Sequence, residues 1–178
     1  MALSMLALPA RAQPVRDEAS GLAVEAPPGY EVRRLPPRGP NTAIFGLRKP
    51  TDRDTGCQLA HAPAPQNRAY SQQALNETAG GEAWQGMARR TISGLFDIDH
   101  TETFEHAGIR GLLLEGRPRL VEAMSPEVRR RAGQVRMFFV LLETPSGRTT
   151  TVCVGEQEGY AARRMEFIGI VRSSTPPR

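Results

Sequence analysis

The chain has 178 residues, 39% of them hydrophobic and 24% charged, proportions that fit one globular domain and exclude a disordered or membrane-embedded chain. Its formal charge of +4 is small, and 22 of its 23 basic residues are arginine with Lys49 the sole lysine, a composition habit rather than a nucleic-acid footprint. The arginine groups at Arg33-Arg34, Arg89-Arg90, Arg129-Arg130-Arg131 and Arg163-Arg164 are dispersed and interleaved with acids, so they read first as solvated faces and second as contacts to an anionic envelope surface.

Residues 1–12 form an apolar opening that ends Ala10-Arg11-Ala12, a small-x-small pattern that export peptidases accept. We read it as an export signal cut before Gln13. No later segment approaches the length of a transmembrane helix. The expected product is a periplasmic protein with a tether at 13–20, one domain at 21–173 and a flexible tail at 174–178.

The domain opens with two short extended runs in 21–35 around Pro27-Pro28-Gly29, read as a hairpin because proline fixes φ and glycine permits the turn. Strands at 42–48 and from Cys57 onward follow across polar turns, suggesting an antiparallel meander. Ser71 is the N-cap of a helical stretch in which Leu75, Ala79, Ala83, Met87, Ala88, Ile92 and Leu95 recur at helical spacing. Gly80-Gly81 interrupts it and predicts a kink or a break into two helices. Trp84, just beyond, reads as a packing residue and alternatively as an aromatic platform for a ligand.

From Phe96 the period becomes two, placing Ile98, His100, Glu102, Phe104 and His106 on one face of a strand. Ala107-Gly108 turns it into a second strand at 109–116, and Ser125-Pro126-Glu127 starts one helical turn. The apolar run 135–142 and the run 148–154 flank Pro145-Ser146-Gly147 as a strong hairpin. Tyr160, Arg164, Phe167, Ile168 and Val171 line one face of a closing helix. The sum is α+β: a mainly antiparallel sheet of six to eight strands, a central helix and a C-terminal helix.

The two cysteines, Cys57 and Cys153, each sit in a strand-like run. An oxidising compartment makes them a natural staple, while two separate buried thiols fit the sequence as well. The Gly21-to-Tyr30 pattern, glycine and alternating apolar residues followed by Pro27-Pro28-Gly29-Tyr30, together with this element order, resembles the PsbP/Mog1-like α/β/α sandwich. Gly81-Glu82-Ala83-Trp84 and the stretch 143–156 look like segments of small exported alphaproteobacterial proteins. The resemblance implies a periplasmic setting, a paired Cys57 and Cys153 and an accessory or binding role, and it brings no catalytic residues with it.

No phosphate loop, dinucleotide fingerprint, nucleophile elbow or zinc-protease motif is present, so the sequence supports no cofactor and no catalytic residue. His100 and His106 lie about 20 Å apart along an extended strand, too far for one metal shell. Cys57, His61 and Cys153 fall one ligand short of a closed zinc site. The residues with most potential for ligand contact are Trp84, His100, Glu102, Arg148, Thr149 and Thr151, the threonines because their run beside Arg148 puts hydroxyls on both faces of a strand. The leading expectation is a non-enzymatic periplasmic binding domain for an envelope protein or small ligand. Its rivals are a hydrolase or transferase built around His100, Glu102 and Arg148, and an arginine-mediated surface binder.

Overall fold

The structure, a computed structural model, describes residues 13–178; the expected export signal at 1–12 lies outside them. Strands β1 (Val15–Arg16), β2 (Ala23–Val24), β3 (Glu31–Leu35), β4 (Ala43–Arg48) and β5 (Gly56–Pro63) precede helices α1 (Gln72–Gly80) and α2 (Glu82–Ser93). Then come β6 (Phe96–His106), β7 (Ile109–Pro118), α3 (Pro126–Ala132), β8 (Val135–Thr144), β9 (Gly147–Glu156), α4 (Tyr160–Arg172) and β10 (Ser174–Thr175). The main sheet is antiparallel throughout, in the order β3-β4-β5-β9-β8-β7-β6, and β1-β2-β10 form a separate small antiparallel sheet.

Alternation along the strands divides the core in two. Phe45, Leu59, Leu113, Phe138, Val140 and Cys153 face α4, with Phe167, Ile170 and Val171 packed on them. Leu112, Leu114, Met137, Phe139 and Leu141 face the other way, beneath Trp84, Ala88 and Ile92 of α2. β8 is buried along nearly its whole length, as a strand covered by helices on both faces must be. β9 alternates buried and half-buried residues because only its α4 face is fully covered. The Phe167 ring lies 5.7 Å from Phe138 and 6.4 Å from Tyr160, seating α4 on the sheet.

Local chemistry explains the helix ends. The Ser71 hydroxyl accepts from the Ala74 amide at 3.2 Å, and Ser125 does the same for Val128 at 3.3 Å. The helical stretch does break at the glycine pair: Gly81 alone is extended, with φ −82° and ψ 144°. The Gln85 side chain then donates to the Ala79 carbonyl at 3.2 Å, satisfying an acceptor that the break leaves without a helical partner.

Four expectations are corrected. The runs around Pro27-Pro28-Gly29 are not a hairpin, since β2 pairs with β1 and β10 while β3 pairs with β4; Leu22 and Val24 instead carry β2 into the α4-side core. The segment read as a tether contains β1 and the buried Asp17, whose carboxylate is held by the Ser20 hydroxyl and amide and by Arg34. The segment read as a loose tail contributes β10 and the buried Ser174, with His106 Nε2 2.8 Å from the Ser174 carbonyl oxygen. A bulge between Ile98 and His100 turns Ile98 to the α2 side while Phe104 stays on the α4 side, so the single apolar-polar face expected for β6 is two half-faces.

The pairing of β5 with β9 puts Cys57 directly opposite Cys153, and the two sulfurs are bonded at 2.04 Å across 96 residues of sequence. The structure therefore holds neither free thiols nor a Cys57-His61-Cys153 zinc site. Replacing both cysteines by alanine should lower unfolding stability by about 4 to 5 kcal/mol on the chain-entropy estimate for a loop of this length, read as a lower urea midpoint. Equal stability before and after reduction would contradict the bond.

Four residues along from the cysteines, His61 is buried opposite Thr149, and neither His61 Nδ1 nor the Thr149 hydroxyl has a partner. Burial pushes the His61 pKa below its ordinary 6.5, with Asp17 opposing. The unfolded chain thus binds a proton more readily than the folded one, and stability falls as pH drops below 6.5 toward the depressed folded value. Melting temperature should decline between about pH 6.5 and 5, above the range where carboxylates protonate, and His61→Gln should flatten that decline. An unchanged slope in the variant would assign the effect elsewhere.

Candidate functional site

The helices that cover the α2 side of the sheet do not reach all seven strands. α1 packs on β7 and β8, and α2 on β6, which leaves the same face of β3, β4, β5 and β9 without a helix. Strand register identifies its floor row by row: Arg48, Gly56 and Val154; Arg33, Gly46, Gln58 and Val152; Leu35, Ile44, Ala60 and Thr150; Ala62 and Arg148. Gly46, Ala60 and Thr150 are the small residues of its middle rows, beside the larger Leu35, Ile44 and Gln58.

Two cavities lie along this face. One of about 540 Å³ is bounded by Arg33, Leu35, Gly46, Arg48, Gln58, Val152 and Val154, with Asp54 and Thr55 at its end. The other, about 530 Å³, is bounded by Ala62, Arg148, Trp84, Met87, Tyr70 and Asn67. Both fall within the size range of ligand clefts. β5 supplies Gly56 and Gln58 to the first and Ala62 and Pro63 to the second, so the two share one trench-like face along β5 and β9, separated by a row in which Ala60, Thr150 and buried Ile44 line neither cavity. Glycine is required at the lower end of this face: Gly56 has φ +118°, and a Cβ there would meet the Leu47 carbonyl oxygen at 2.8 Å. At Gly46 a Cβ would press the Leu35 side chain at 3.2 Å, so the missing side chain makes room for Leu35 across the strand pair.

The electrostatics of the trench are mostly settled within the chain. Glu143 is buried and accepts from Arg148 at 2.6 Å and from Asn67 at 3.1 Å, which closes the upper end. Asp54 at the lower end pairs with Arg131 at 3.3 Å. Met87 and Tyr70 are about half exposed, at 48% and 56%, and they form an apolar shoulder beside half-buried Trp84.

The candidate ligand residues read from sequence separate into three places. Trp84 and Arg148 share the trench. Thr149 and Thr151 are buried on the α4 side, and alternation sends only Thr150 to the opposite face. His100 and Glu102 lie 3.4 Å apart on the α4 side, beyond Glu115. The triad of His100, Glu102 and Arg148 is therefore not assembled, since Arg148 faces the other side of the sheet. Glu102 and buried Glu115 are both held by Arg164, at 2.8 and 2.6 Å, and Asp99 by Arg136 at 2.6 Å, so these carboxylates are engaged in a structural network.

A second charged cluster was not expected from sequence. Glu166 accepts from Tyr30 at 2.7 Å, from Lys49 at 2.7 Å and from Arg163 at 2.7 Å, and Arg163 also bonds Asp52 at 2.5 Å. Burial and the Glu166 contact push the Tyr30 hydroxyl far above its ordinary pKa. Burial alone would raise the Glu166 pKa, but donation from Lys49 and Tyr30 and the Arg163 charge bring it below the usual carboxylate value. With every partner satisfied, the cluster latches α4 to the β4–β5 corner.

Sequence reasoning missed Gly46, Gln58, Ala60, Ala62, Val152 and Val154. For Gly46, Ala60 and Ala62 the signal was present as small residues alternating with Phe45, Leu47, Leu59 and His61; Gln58, Val152 and Val154 carried none.

No family model matches the chain, and no curated protein matches it. Among solved structures, the solution structure of cyanobacterial PsbP (CyanoP) from Synechocystis sp. PCC 6803 superposes with a TM-score of 0.58 over 99% of this chain and 98% of that one, at 11% sequence identity. The chain has a PsbP-like fold. At that identity the PsbP-like likeness carries the architecture and not the side chains of the trench.

Glu166→Gln should leave the fold intact but weaken the latch by about 1.5 to 3 kcal/mol, the usual worth of hydrogen bonds to a charged group, with the loss confined to pH above the carboxylate range. Equal stability of variant and parent at pH 7 would show that the latch contributes nothing.

Proposed function

We propose that this chain is an exported, non-enzymatic binding domain of an alphaproteobacterial cell envelope, and that the trench across β3, β4, β5 and β9 is its binding face. The observation that carries the reading is the uncovered half-sheet itself: a face without a helix, bearing two cavities of ligand size and an aromatic shoulder, is a built concavity rather than a solvated strand surface. The cross-strand disulfide suits an oxidising compartment, as do the sequence of residues 1–12 and the PsbP-like fold, which is typically that of an accessory domain. No helix among the described residues is long and apolar enough to cross a membrane.

The competing hydrolase reading loses its geometric basis with the separation of Arg148 from His100 and Glu102, and fold alone assigns no chemistry. A photoreactive benzoylphenylalanine placed at Gln58 should cross-link to an envelope component in cells that make the protein, whereas the same group at exposed Glu105, on the far edge strand, should not. Equal adduct yield at both positions, or none at Gln58, would overturn the trench as the binding face.

A further inference from the structure

Resting on the reading of this chain as a binding domain, we infer that the upper cavity of the uncovered face is a site for a neutral saccharide. Its walls, its charge balance and its unused hydrogen-bonding groups each point to that chemistry.

Three parts of the fold meet at this cavity of about 530 Å³. The short 3-10 helix Pro65–Ala69, with Tyr70 just beyond it, forms one part; α1 and α2 bring Leu75, Trp84 and Met87; and β5, β8 and β9 supply Ala62, Glu143 and Arg148. The helices contribute chiefly apolar side chains. The polar ones, Glu143, Arg148, Gln66 and Asn67, come from the strand ends and the 3-10 helix, so the cavity has two characters. A wholly apolar ligand would cover the polar groups without satisfying them. An extended peptide would find no strand edge to join, because β5 lies between β4 and β9, and β9 between β5 and β8.

Among the described residues, Glu143 and Arg148 are the only charged groups that line the cavity, and they neutralise each other at 2.6 Å. Glu143 is buried. An anionic ligand would have to share Arg148 with that buried carboxylate, and a cationic one would have to draw the carboxylate from its arginine. Either disturbs a buried pair at a cost, whereas a neutral ligand leaves it whole. What selects the ligand is this balanced pair and not an excess of arginine.

The pair still has hydrogen-bonding capacity to offer. Arg148 turns Nε and Nη2 on Glu143, which leaves the Nη1 donors. Asn67 uses Nδ2 on Glu143 and on the Thr144 carbonyl, which leaves the Oδ1 acceptor. The Gln66 amide, the Tyr70 hydroxyl and the Trp84 indole N–H make no hydrogen bond among the described residues. The complement of such a mixed, uncharged set is a molecule whose polar groups each donate and accept, as hydroxyls do. A pyranose ring joins a rim of hydroxyls to an apolar C–H face, and that face suits Trp84 and Tyr70. Since Glu143 is the sole carboxylate lining the cavity, the site lacks the carboxyl pair that glycoside hydrolysis uses, and it holds a sugar without cleaving it.

Trp84 is the chain's one tryptophan, so its fluorescence reports this cavity alone. The test titrates the purified protein with glucose, cellobiose, maltose and N,N′-diacetylchitobiose, and with glucuronate and glucosamine as charged counterparts of glucose. The expected result is a saturable change in emission with a neutral sugar, and binding of the charged ones that is about tenfold weaker. Tyr70→Ala, at an exposed position, should weaken the neutral sugar about fivefold. Ala62→Phe, which fills the cavity, should abolish the response while the circular dichroism spectrum stays unchanged. No saturable response to any neutral sugar up to about 20 mM, preference for a charged sugar, or parental affinity in both variants overturns the inference. An adduct at Gln58 without a saccharide response removes this inference alone and leaves the binding face standing. A saccharide response without that adduct confines binding to the upper cavity and overturns the wider face.

Discussion

One strand pairing holds the molecule together. β3, β4 and β5 form an N-terminal meander and β6 to β9 a C-terminal run of hairpins, and the ladder between β5 and β9, from Gly56 opposite Val154 to Pro63 opposite Gly147, is what makes them a single sheet. It joins segments about a hundred residues apart, so its closure entropy is the largest in the main sheet. The Cys57–Cys153 bond sits on the α4 side of that ladder, at its Gly56–Val154 end. A covalent link at this place constrains the unfolded chain where the native chain most needs closing.

The same ladder is the floor of the trench. Its α4 face is sealed by Phe167, Ile170 and Val171 and by the small sheet, while its opposite face carries Gln58, Ala60, Thr150 and Val152 with no helix above them. The two faces therefore divide the work. One supplies stability through apolar burial and the disulfide, and the other is left available for contact. Side-chain chemistry elsewhere is consumed internally, in the Arg164 network around Glu102 and Glu115 and in the Glu166 latch. Those groups neutralise one another, and what they position is helix α4 rather than a reacting atom.

Much of the architecture was legible in the sequence because it rests on local pattern. The change of period at Phe96, the caps at Ser71 and Ser125, the glycine break before Trp84 and the continuous apolar run of β8 each point to one structure, and the PsbP-like order of elements follows from them. The paired cysteines were one of two open readings until register placed them opposite each other. Other features depend on long-range register and were hidden. The bulge beyond Ile98 reverses one end of β6, and nothing local marks it. The threonine run 149–151 reads as a polar surface, yet alternation buries two of its three hydroxyls. The membership of the site was the least legible part. Arg148 and His100 are both exposed polar residues in the sequence, and only the fold shows that the sheet lies between them. The trench is defined by a helix that is absent above it, a vacancy that composition does not announce.

The most direct measurement is accessibility of the trench floor in the cell. A single cysteine at Gln58, on the face opposite the disulfide, can be probed with a polar thiol reagent in the isolated protein and in intact cells, with exposed Glu105 as the reference position. If the half-sheet is a binding face, the cysteine at 58 reacts freely in isolation and is protected in cells while the one at 105 reacts in both. Equal reactivity of position 58 in the two settings would mean that nothing covers the open half of the sheet, and its role as a docking surface would be contradicted.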